Sequence, residues 1–525
     1  MKRSIILSAI AVLTISFILT ACNTEEQYPH ETIDFPLVDQ VHDLSSEDNG
    51  EQAHYAQPDA TAFTIADALN DFDYMIRLMQ DTFPFFGVAI RNPGAFPFRV
   101  DERGILQTAQ PRAESIDILA LADKTRIIIE NYPYSLQVLA DDLGIAFGDM
   151  PEFDEHIFWS IVTHEFFSHF FMFGHLFSVD FSGFNHISAR YRQASRSRNP
   201  LTWLNSQVTL RQESINFYRE QEILFNTLLE EDLALFQFIF RAMPPQDDKV
   251  LPPLLTTEII EEGSIAYFNI RTFSLPPSFL RSELISFYEQ IQDYDHLIID
   301  IRDGPGGILN VARMTIMYPL WADRDNMPDM PLFSFHVGSE RGHALAGYHF
   351  AERAQESENI PQSGELLTVD EILLMYELPY LNKDDIQNLA HGMRLNTSLA
   401  NITTSHLANF GLFRMEQVPF NGQIWLLTSE INASSGAMFA RLAKHMGFAT
   451  LVGEQVAGAY TSTWLSFFSM PNSGIVLQWD IDYLTDEFGR ALNEFPTEPH
   501  YFNREGMDAL QTALALIAEG NYHRE

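Results

Sequence analysis

Two adjacent serines, Ser434 and Ser435, lie where a short apolar run gives way to a helical pattern. Ile424 to Leu427 has the composition of a buried strand, and from Ala437 the apolar residues recur at helical spacing until Gly447. A hydroxyl at the first turn of a helix meets unpaired backbone N–H groups and the positive end of the helix dipole, where negative charge is stabilised. The segment therefore predicts either a nucleophilic serine or a serine that only caps the helix.

A glycine-rich loop could supply the other half of such a site. Tyr294 to Gly307 reads YDHLIIDIRDGPGG, which is a near-continuous apolar strand followed by a charged turn and then glycines. Exposed N–H groups at the carboxyl end of a strand suit an anion or an oxyanion. After the serine helix, Phe448 to Val452 predicts a second buried strand. The unit is therefore strand, helix, strand, as in a parallel sheet with a crossover helix.

Together these segments resemble the signature blocks of the tail-specific, or C-terminal-processing, serine protease family. In that family a strand ending in an Asp-hydrophobic-Arg-x-Asn-x-Gly-Gly block is followed by a serine turn, a helix and a Val-Gly-Glu strand end. Asp300 to Gly307 matches the first block, with Asp303 where Asn is usual, and Ala433 to Glu454 matches the second. Gly263 to Phe273 is similar to the strand that opens the family's catalytic core.

The resemblance implies that Ser434 is the nucleophile. It also implies that backbone N–H groups of Ser435 and of Gly306 or Gly307 bind the oxyanion. The general base must differ from that of the bacterial and chloroplast processing proteases, whose lysine follows the Val-Gly-Glu element. Alignment places Ala459 at that lysine, and an alanine cannot accept a proton. Either another residue is the base or the site is inactive.

A second branch of the family includes the tricorn core protease and is related to interphotoreceptor retinoid-binding protein. It uses a histidine from the helical region before the core, helped by a glutamate near the carboxyl end. Phe173-Gly174-His175-Leu176 resembles the Asp-Gly-His-Thr block of related sequences, so His175 is the first candidate for the base and His169 the second. Glu494 is the candidate for the glutamate, and Asn493 competes for that position. A packed core histidine and a solvated surface glutamate are the alternatives.

The same segment contains a pattern similar to a zinc protease helix, His164-Glu165-Phe166-Phe167-Ser168-His169. That chemistry needs two histidines four residues apart, so that both face one metal ion. Here the histidines are five residues apart. On an α-helix this spacing separates them by about 140°. We therefore expect no metal and no other cofactor.

The amino-terminal residues predict where the protein is located. A basic start and an apolar run lead to Leu19-Thr20-Ala21-Cys22, which resembles a bacterial lipobox. The resemblance implies a lipoprotein signal peptide over residues 1–22 and a lipid anchor on Cys22, the only cysteine in the chain. The alternatives are an uncleaved transmembrane anchor and a signal peptide with an incidental cysteine. Residues 23–60 contain many Asp and Glu and no Lys or Arg, which predicts an acidic tether.

Composition and charge narrow the class of function. The chain has 525 residues and a net charge of −39. This charge argues against binding nucleic acid, and against attachment to an anionic membrane surface without a lipid anchor. A hydrophobic content of 46% is enough for a large core and for more than one domain.

The predicted fold class is α/β. A helical domain over residues 61–245 precedes a crotonase-like, tail-protease α/β core over residues 255–525, with parallel strands and crossover helices. The apolar stripe from Thr64 to Thr82 is a good example of a helix in the first domain. Between about 310 and 420 the core carries an insertion longer than a crossover needs. Its part from Leu366 to Leu407 is predicted to be helical.

The combined prediction is a serine peptidase of the bacterial cell envelope, anchored to the membrane by lipid, that cleaves polypeptides such as unfolded chains or C-terminal segments. Ser434 attacks the peptide carbonyl after His175 accepts its proton, and Glu494 supports the base. The alternative is an inactive member of the same fold that binds a peptide or another envelope protein. The sequence leaves the oligomeric state open, and it leaves open whether the insertion covers the active site or is a docking surface.

Overall fold

The structure is a computed structural model, which describes part of the chain. The described residues are 62–91, 98–100, 106–108, 115–142, 145–146, 150–170, 173–191, 200–240, 253–304, 306–322, 328–356, 366–395, 415–457 and 465–520. The predicted signal peptide, Cys22, the tether and Ala459 lie outside them. Within these ranges, none of the helices has the length and apolar character needed to span a membrane.

The amino-terminal half is mostly helical, as predicted. Its first helix, α1 (Ile65–Thr82), begins after Thr64, whose hydroxyl accepts from the N–H of Asp67 in a capping box. The apolar stripe of α1 is buried in the larger hydrophobic cluster. The other helices of this half are α2 (Phe86–Arg91), α3 (Ile118–Glu130), α4 (Tyr134–Asp142), α5 (Glu155–Ile161), α6 (Phe181–Tyr191), α7 (Pro200–Leu210), α8 (Gln212–Glu231) and α9 (Leu233–Phe240). The strands are β1 (Phe98–Val100), β2 (Leu106–Thr108) and β3 (Phe177–Ser178).

The carboxyl-terminal half alternates strands and helices. Its strands are β4 (Leu255–Glu261), β5 (Ile265–Ile270), β6 (His296–Asp300), β7 (Leu332–Val337), β8 (Leu367–Thr368), β9 (Leu389–Leu395), β10 (Gln423–Thr428), β11 (Thr450–Gly453), β12 (Leu465–Ser469), β13 (Val476–Asp480), β14 (Tyr483–Thr485) and β15 (Tyr501–Phe502). Its helices are α10 (Pro277–Ile291), α11 (Leu309–Ala312), α12 (Tyr318–Leu320), α13 (Glu340–Glu356), α14 (Val369–Met375), α15 (Lys383–Ile386), α16 (Ser434–His445) and α17 (Ala509–Glu519).

A six-stranded sheet in the order β15-β11-β10-β6-β5-β4 forms the centre of this half. Strands β5, β6, β10, β11 and β15 are parallel to one another, and β4 is antiparallel to β5. Every residue of β6 is buried, as its apolar run predicts. The predicted strand, helix, strand unit is confirmed, since α16 connects the parallel neighbours β10 and β11. The fold is therefore mixed α/β with a helical amino-terminal region, as predicted.

The insertion is not helical throughout, which corrects the prediction for Leu366 to Leu407. Helix α14 is present, but Leu389–Leu395 forms β9, which pairs antiparallel with β7 in a second sheet of order β14-β7-β9-β8. Leu389 and Met393 are four residues apart, a spacing that fits one face of a helix. This segment is a strand because it pairs with β7, which is distant in the sequence, and the local residue pattern does not show that pairing. Residues 396–407 lie outside the described residues.

The helical region and the core share a sheet. Strand β3, from the helical region, pairs antiparallel with β13, with Phe177 opposite Gln478 and Ser178 opposite Leu477. A second link is made by the buried carboxylate of Asp71 in α1. Asn472 and Ser473 each donate a backbone and a side-chain hydrogen bond to it, at 2.7 to 2.9 Å. The two predicted domains are therefore joined by strand pairing and by a buried polar anchor.

A group of histidines lies between the second sheet and α13. His336, on β7, is 1% exposed, and its Nε2 lies 3.0 Å from Nδ1 of His349. It faces His391 across the strand pair. Burial lowers the pKa of His336 to about 4, an effect that the charge of Asp482 opposes and that His391 reinforces. The folded protein therefore keeps this imidazole neutral at neutral pH.

The buried imidazole makes stability depend on pH. Because the folded pKa of His336 is depressed, its contribution is fully present above the unfolded pKa of about 6.5 and is lost as pH falls toward 4. We expect the free energy of unfolding to fall by roughly 3 kcal/mol over that interval through this group. In His336→Gln the fall should be smaller, as measured by chemical denaturation at several pH values. Equal slopes in the two proteins would contradict the assignment.

Candidate active site

Ser434 is the first residue of α16 and is partly buried. Its φ is +47°, a left-handed conformation that costs an L-residue about 1 to 2 kcal/mol. The N-cap residue is Ala433, and no side chain makes a capping hydrogen bond there. The interpretation of the serine pair as a helix cap is therefore wrong, because neither hydroxyl has that function. The turn presents Ser434 in a strained conformation instead.

The glycine loop after β6 packs against this turn. Gly306 has a φ of +146°, and a Cβ built on it would lie 2.9 Å from the carbonyl oxygen of Ala433, 2.9 Å from Cβ of Ser434 and 3.2 Å from the nitrogen of Ser435. Real Cβ atoms do not approach other atoms that closely, so glycine is required at this position. The glycine loop and the serine turn are therefore in direct contact.

Side-chain hydrogen bonds hold the loop to the serine turn. Asn432 is fully buried, and its Nδ2 donates to the carbonyl oxygens of Ile301 at 2.6 Å and Gly304 at 2.8 Å. The hydroxyl of Ser435 donates to the carbonyl oxygen of Gly307 at 2.6 Å. Asn commonly caps helices, but the N-cap of α16 is Ala433. The structural role of Asn432 is to tie the two halves of the site together.

The acidic substitution in the first block has a nearby cation. Asp303 stands where the related family usually has Asn, and its Oδ2 lies 3.8 Å from Nε of Arg271. The Arg271 side chain is 7% exposed, whereas that of Asp303 is 36% exposed. The buried guanidinium of Arg271, which directly follows β5, therefore lies beside the loop and offsets the negative charge of Asp303.

His175 is buried, with 3% of its surface exposed, and its φ is +45°. Its Nδ1 lies 2.8 Å from Oδ1 of Asp480, which is fully buried at the end of β13. The backbone N–H of Asp480 also donates to the carbonyl oxygen of Gly174, at 2.9 Å. Sequence reasoning missed Asp480. The signal was available, because Asp480 and Asp482 interrupt an otherwise apolar strand pattern.

The other predicted residues lie in different surroundings. His169 is exposed, in a short 3₁₀ turn. Both carboxylate oxygens of Glu494 accept from the guanidinium of Arg91 in α2, each at 3.0 Å, and Arg91 also pairs with Asp385 at 2.5 Å. Asn493, which competed with Glu494 in the sequence, is 1% exposed. The structure therefore places Glu494 in an ion-pair cluster between α2 and the insertion.

The strand that follows Asp480 shares a hydrophobic core with the serine helix. Beyond Asp480 the chain continues into β14, whose Leu484 is buried in the same hydrophobic cluster as Ala437 and Phe439 of α16. Leu484, four residues beyond the partner of His175, therefore belongs to the same hydrophobic core as α16.

The zinc-like pattern is not on an α-helix. Val162–Phe166 is a π-helix and Phe167–Phe170 a 3₁₀ turn, so the angle expected for an α-helix does not apply. Nε2 of His164 lies 3.1 Å from the carbonyl oxygen of Ile239. Across the part of the chain that the structure describes, no three His, Cys, Asp or Glu side chains are arranged to hold a metal ion.

The close approach at Gly306 gives a direct test of the site. In Gly306→Ala the new methyl group must displace the serine turn, so we expect labelling by a fluorophosphonate probe to slow by about 100-fold or more. Gly263→Ala is the matched control, because its φ is +76° and a Cβ there has nothing within 4 Å. It should cost only about 1 kcal/mol of stability and leave labelling unchanged. Similar labelling of both variants would show that the loop does not support the reactive serine.

Comparison with known proteins gives a family for part of the chain. Residues 348–502 match the model of peptidase family S41. The matched segment includes Ser434, Asp480 and Glu494, whereas His175 and the glycine loop lie before it. None of the curated proteins compared with the chain matches it.

Several solved structures are similar to this chain. Mature CPAF complexed with lactacystin has 12% identity and a TM-score of 0.41, covering 87% of this chain and 99% of that chain. A lipoprotein from Streptococcus agalactiae has 13% identity and a TM-score of 0.31, covering 64% and 96%. The photosystem II D1 C-terminal processing protease has 12% identity and a TM-score of 0.29, covering 49% and 50%.

The family match confirms the coarser part of the sequence prediction, a serine peptidase family, and leaves the histidine-using branch as a prediction. The matched segment contains the serine turn, α16 and the strand that carries Asp480. Residues 348–502 of the chain are therefore similar to peptidase family S41.

Proposed function

We propose that this protein is a serine peptidase in which Ser434 is the nucleophile and His175 the general base. One observation carries the assignment. Among the described residues, His175 and Ser434 are the non-glycine residues with a positive φ, +45° and +47°. Such conformations cost of order 1 to 3 kcal/mol and persist at active sites, where the surrounding structure fixes them. The proposed nucleophile and the first candidate for the base are thus also the two described non-glycine residues that carry this backbone strain.

The base is prepared by its contact with Asp480. A carboxylate at Nδ1 favours the neutral tautomer that carries its proton on Nδ1, which makes Nε2 the proton acceptor. As Oγ of Ser434 attacks the peptide carbonyl carbon, its proton moves to Nε2 of His175. The negative charge that develops on the carbonyl oxygen is stabilised by backbone N–H groups of Ser435 and of Gly306 or Gly307.

The second half of the reaction reverses these transfers. The imidazolium of His175 gives its proton to the leaving amine as the C–N bond breaks, which leaves an acyl group on Ser434. Water then attacks the acyl carbon while His175 accepts a proton from it. The proton returns to Oγ when the new carboxyl product leaves.

The proposed substrates are polypeptides, such as unfolded chains or C-terminal segments, and the proposed location is the bacterial cell envelope. The S41 match supports a peptide substrate. The lipobox resemblance at Cys22 and the acidic segment after it support attachment outside the cytoplasm by a lipid anchor.

Ser434→Ala in the full chain tests the assignment of the nucleophile. We expect it to abolish both fluorophosphonate labelling and cleavage of an unfolded polypeptide such as casein, since Ala has no oxygen to attack with. Ser435→Ala is the matched control. It removes the bond to Gly307 but keeps the nucleophile, so labelling should slow and still be measurable. If labelling survives in Ser434→Ala and disappears in Ser435→Ala, the nucleophile is Ser435 and the assignment of Ser434 is wrong. A wild-type protein that binds the polypeptide without labelling or cleavage would favour the inactive alternative.

Cys22→Ser tests the proposed anchor. Without the thiol no lipid can be attached, so the protein should move from the membrane fraction to the soluble envelope or medium fraction on expression in a bacterium. Metabolic labelling with a fatty-acid analogue should mark the wild-type protein and not the variant. Membrane attachment of Cys22→Ser, together with an intact amino-terminal segment, would instead indicate an uncleaved transmembrane anchor.

A further inference from the structure

We propose that Asp480 is the residue that positions the base: its carboxylate fixes the tautomer and the orientation of the His175 ring and stabilises the imidazolium formed during the reaction. The inference rests on the proposed function and deepens it. It replaces Glu494, the residue expected from the sequence, with a residue that the sequence did not single out.

Asp480 holds the histidine at two points. Its Oδ1 lies 2.8 Å from Nδ1 of His175, and its backbone N–H donates to the carbonyl oxygen of Gly174 at 2.9 Å. The first contact sets the rotation of the ring. The second fixes the turn before it, where Gly174 and His175 both have positive φ, at +56° and +45°. One residue therefore determines both the strained backbone and the side chain of the proposed base.

The position of Asp480 is set by strand pairing rather than by a loop. Strand β13 ends at Asp480, and two residues earlier Gln478 lies opposite Phe177 of β3. The register of a strand pair is specified by the hydrophobic side chains that it buries. A group on a strand is held more accurately than one on a loop, which is what a proton-transfer site requires.

Because the carboxylate of Asp480 is buried, its negative charge needs a partner, and His175 is the ring in contact with it. Asp480 is fully buried, and removing a carboxylate from water is costly unless the charge is balanced. The neighbouring imidazole becomes a cation only when it accepts a proton. The carboxylate is therefore placed to balance the charge of the imidazolium that forms when His175 accepts the serine proton.

Glu494 is engaged elsewhere. Both of its carboxylate oxygens accept from Arg91, and the same guanidinium binds Asp385. The side chain of Asp385 is only 4% exposed, so Arg91 offsets two negative charges in a partly buried cluster. The contacts of Glu494 thus join α2, the insertion and the carboxyl-terminal segment, whereas the contact at Nδ1 of His175 belongs to Asp480.

Asp480→Asn tests the inference by changing the tautomer. The amide of Asn can donate to Nδ1, which moves the imidazole proton to Nε2 and removes the acceptor for the serine proton. We expect fluorophosphonate labelling to slow by about 1,000-fold to 10,000-fold. The residual labelling should also follow a pH profile different from that of the wild type, because the neutral ring no longer presents an acceptor at Nε2. A merely structural role would not shift the pH profile.

Asp482→Asn is the matched control. Asp482 is two residues further along, is also fully buried, and accepts from the hydroxyl of Ser334 at 3.0 Å. Its change to Asn removes the same charge and leaves an oxygen that can accept the same hydrogen bond. Labelling per folded molecule should stay close to that of the wild type, with an unchanged pH profile. Near-ultraviolet circular dichroism and the Tm of each variant give the folded fraction.

If Asp480→Asn does not fold, a measurement on protein that keeps Asp480 still tests the inference. In the full chain carrying Ser434→Ala, ¹⁵N NMR of labelled histidine reports the tautomer of His175 directly. We expect the neutral ring to carry its proton on Nδ1. A proton on Nε2 would overturn the inference. The peak is assigned by its loss in His175→Gln.

The outcomes separate this inference from the proposed function. If Ser434→Ala still labels, the proposed function fails. If Ser434→Ala and His175→Gln are inactive but Asp480→Asn keeps the wild-type rate and pH profile, only the role of Asp480 fails.

If Glu494→Gln causes a larger loss of labelling than Asp480→Asn and changes the pH profile, the positioning residue is Glu494. If His169→Gln is inactive and His175→Gln is not, the base itself is His169, and Asp480 has no part in the reaction.

Discussion

The close approach of two backbone segments is the constraint on which the rest of the site depends. The loop after β6 comes so near the serine turn after β10 that a methyl group at Gly306 has no space. The two strands are parallel neighbours, so their carboxyl ends meet at one edge of the sheet. Asn432 and Ser435 then fix the gap with hydrogen bonds to loop carbonyl oxygens. The strained Ser434 is held because its surroundings leave no other conformation.

The proposed base depends on a second constraint, the pairing of β3 with β13. This pairing brings His175 to Asp480 across 305 positions of the sequence. A positive φ at His175 and a fully buried carboxylate both lower stability. They are offset by the large aromatic cluster around the turn, in which Phe173 and Leu176 are buried on either side. The geometry of the candidate site thus depends on the core of the helical region as well as on the six-stranded sheet.

The sequence predicted those parts that local pattern specifies. Helix α1, strand β6 and the unit from β10 to β11 all follow from apolar periodicity and from capping residues. The sequence also indicated the contact between Gly306 and the serine turn, because both segments resemble blocks of one family. It could not predict β9, or the partner of His175, because both depend on pairing between distant strands. Glu494 was chosen from a motif, and its contact with Arg91 depends on tertiary packing.

The pairing of β3 with β13 also determines at what stage of synthesis the proposed base can be positioned. A chain that is still being made, or one cut before Val476, contains His175 and Ser434 but lacks the strand that positions the imidazole. Contacts between such distant segments form late, because the intervening chain must be ordered first. On the proposed mechanism, completion of the carboxyl-terminal segment is therefore a condition for reactivity. A partly made or truncated copy would carry the proposed nucleophile without an oriented base, and so could not cleave neighbouring chains.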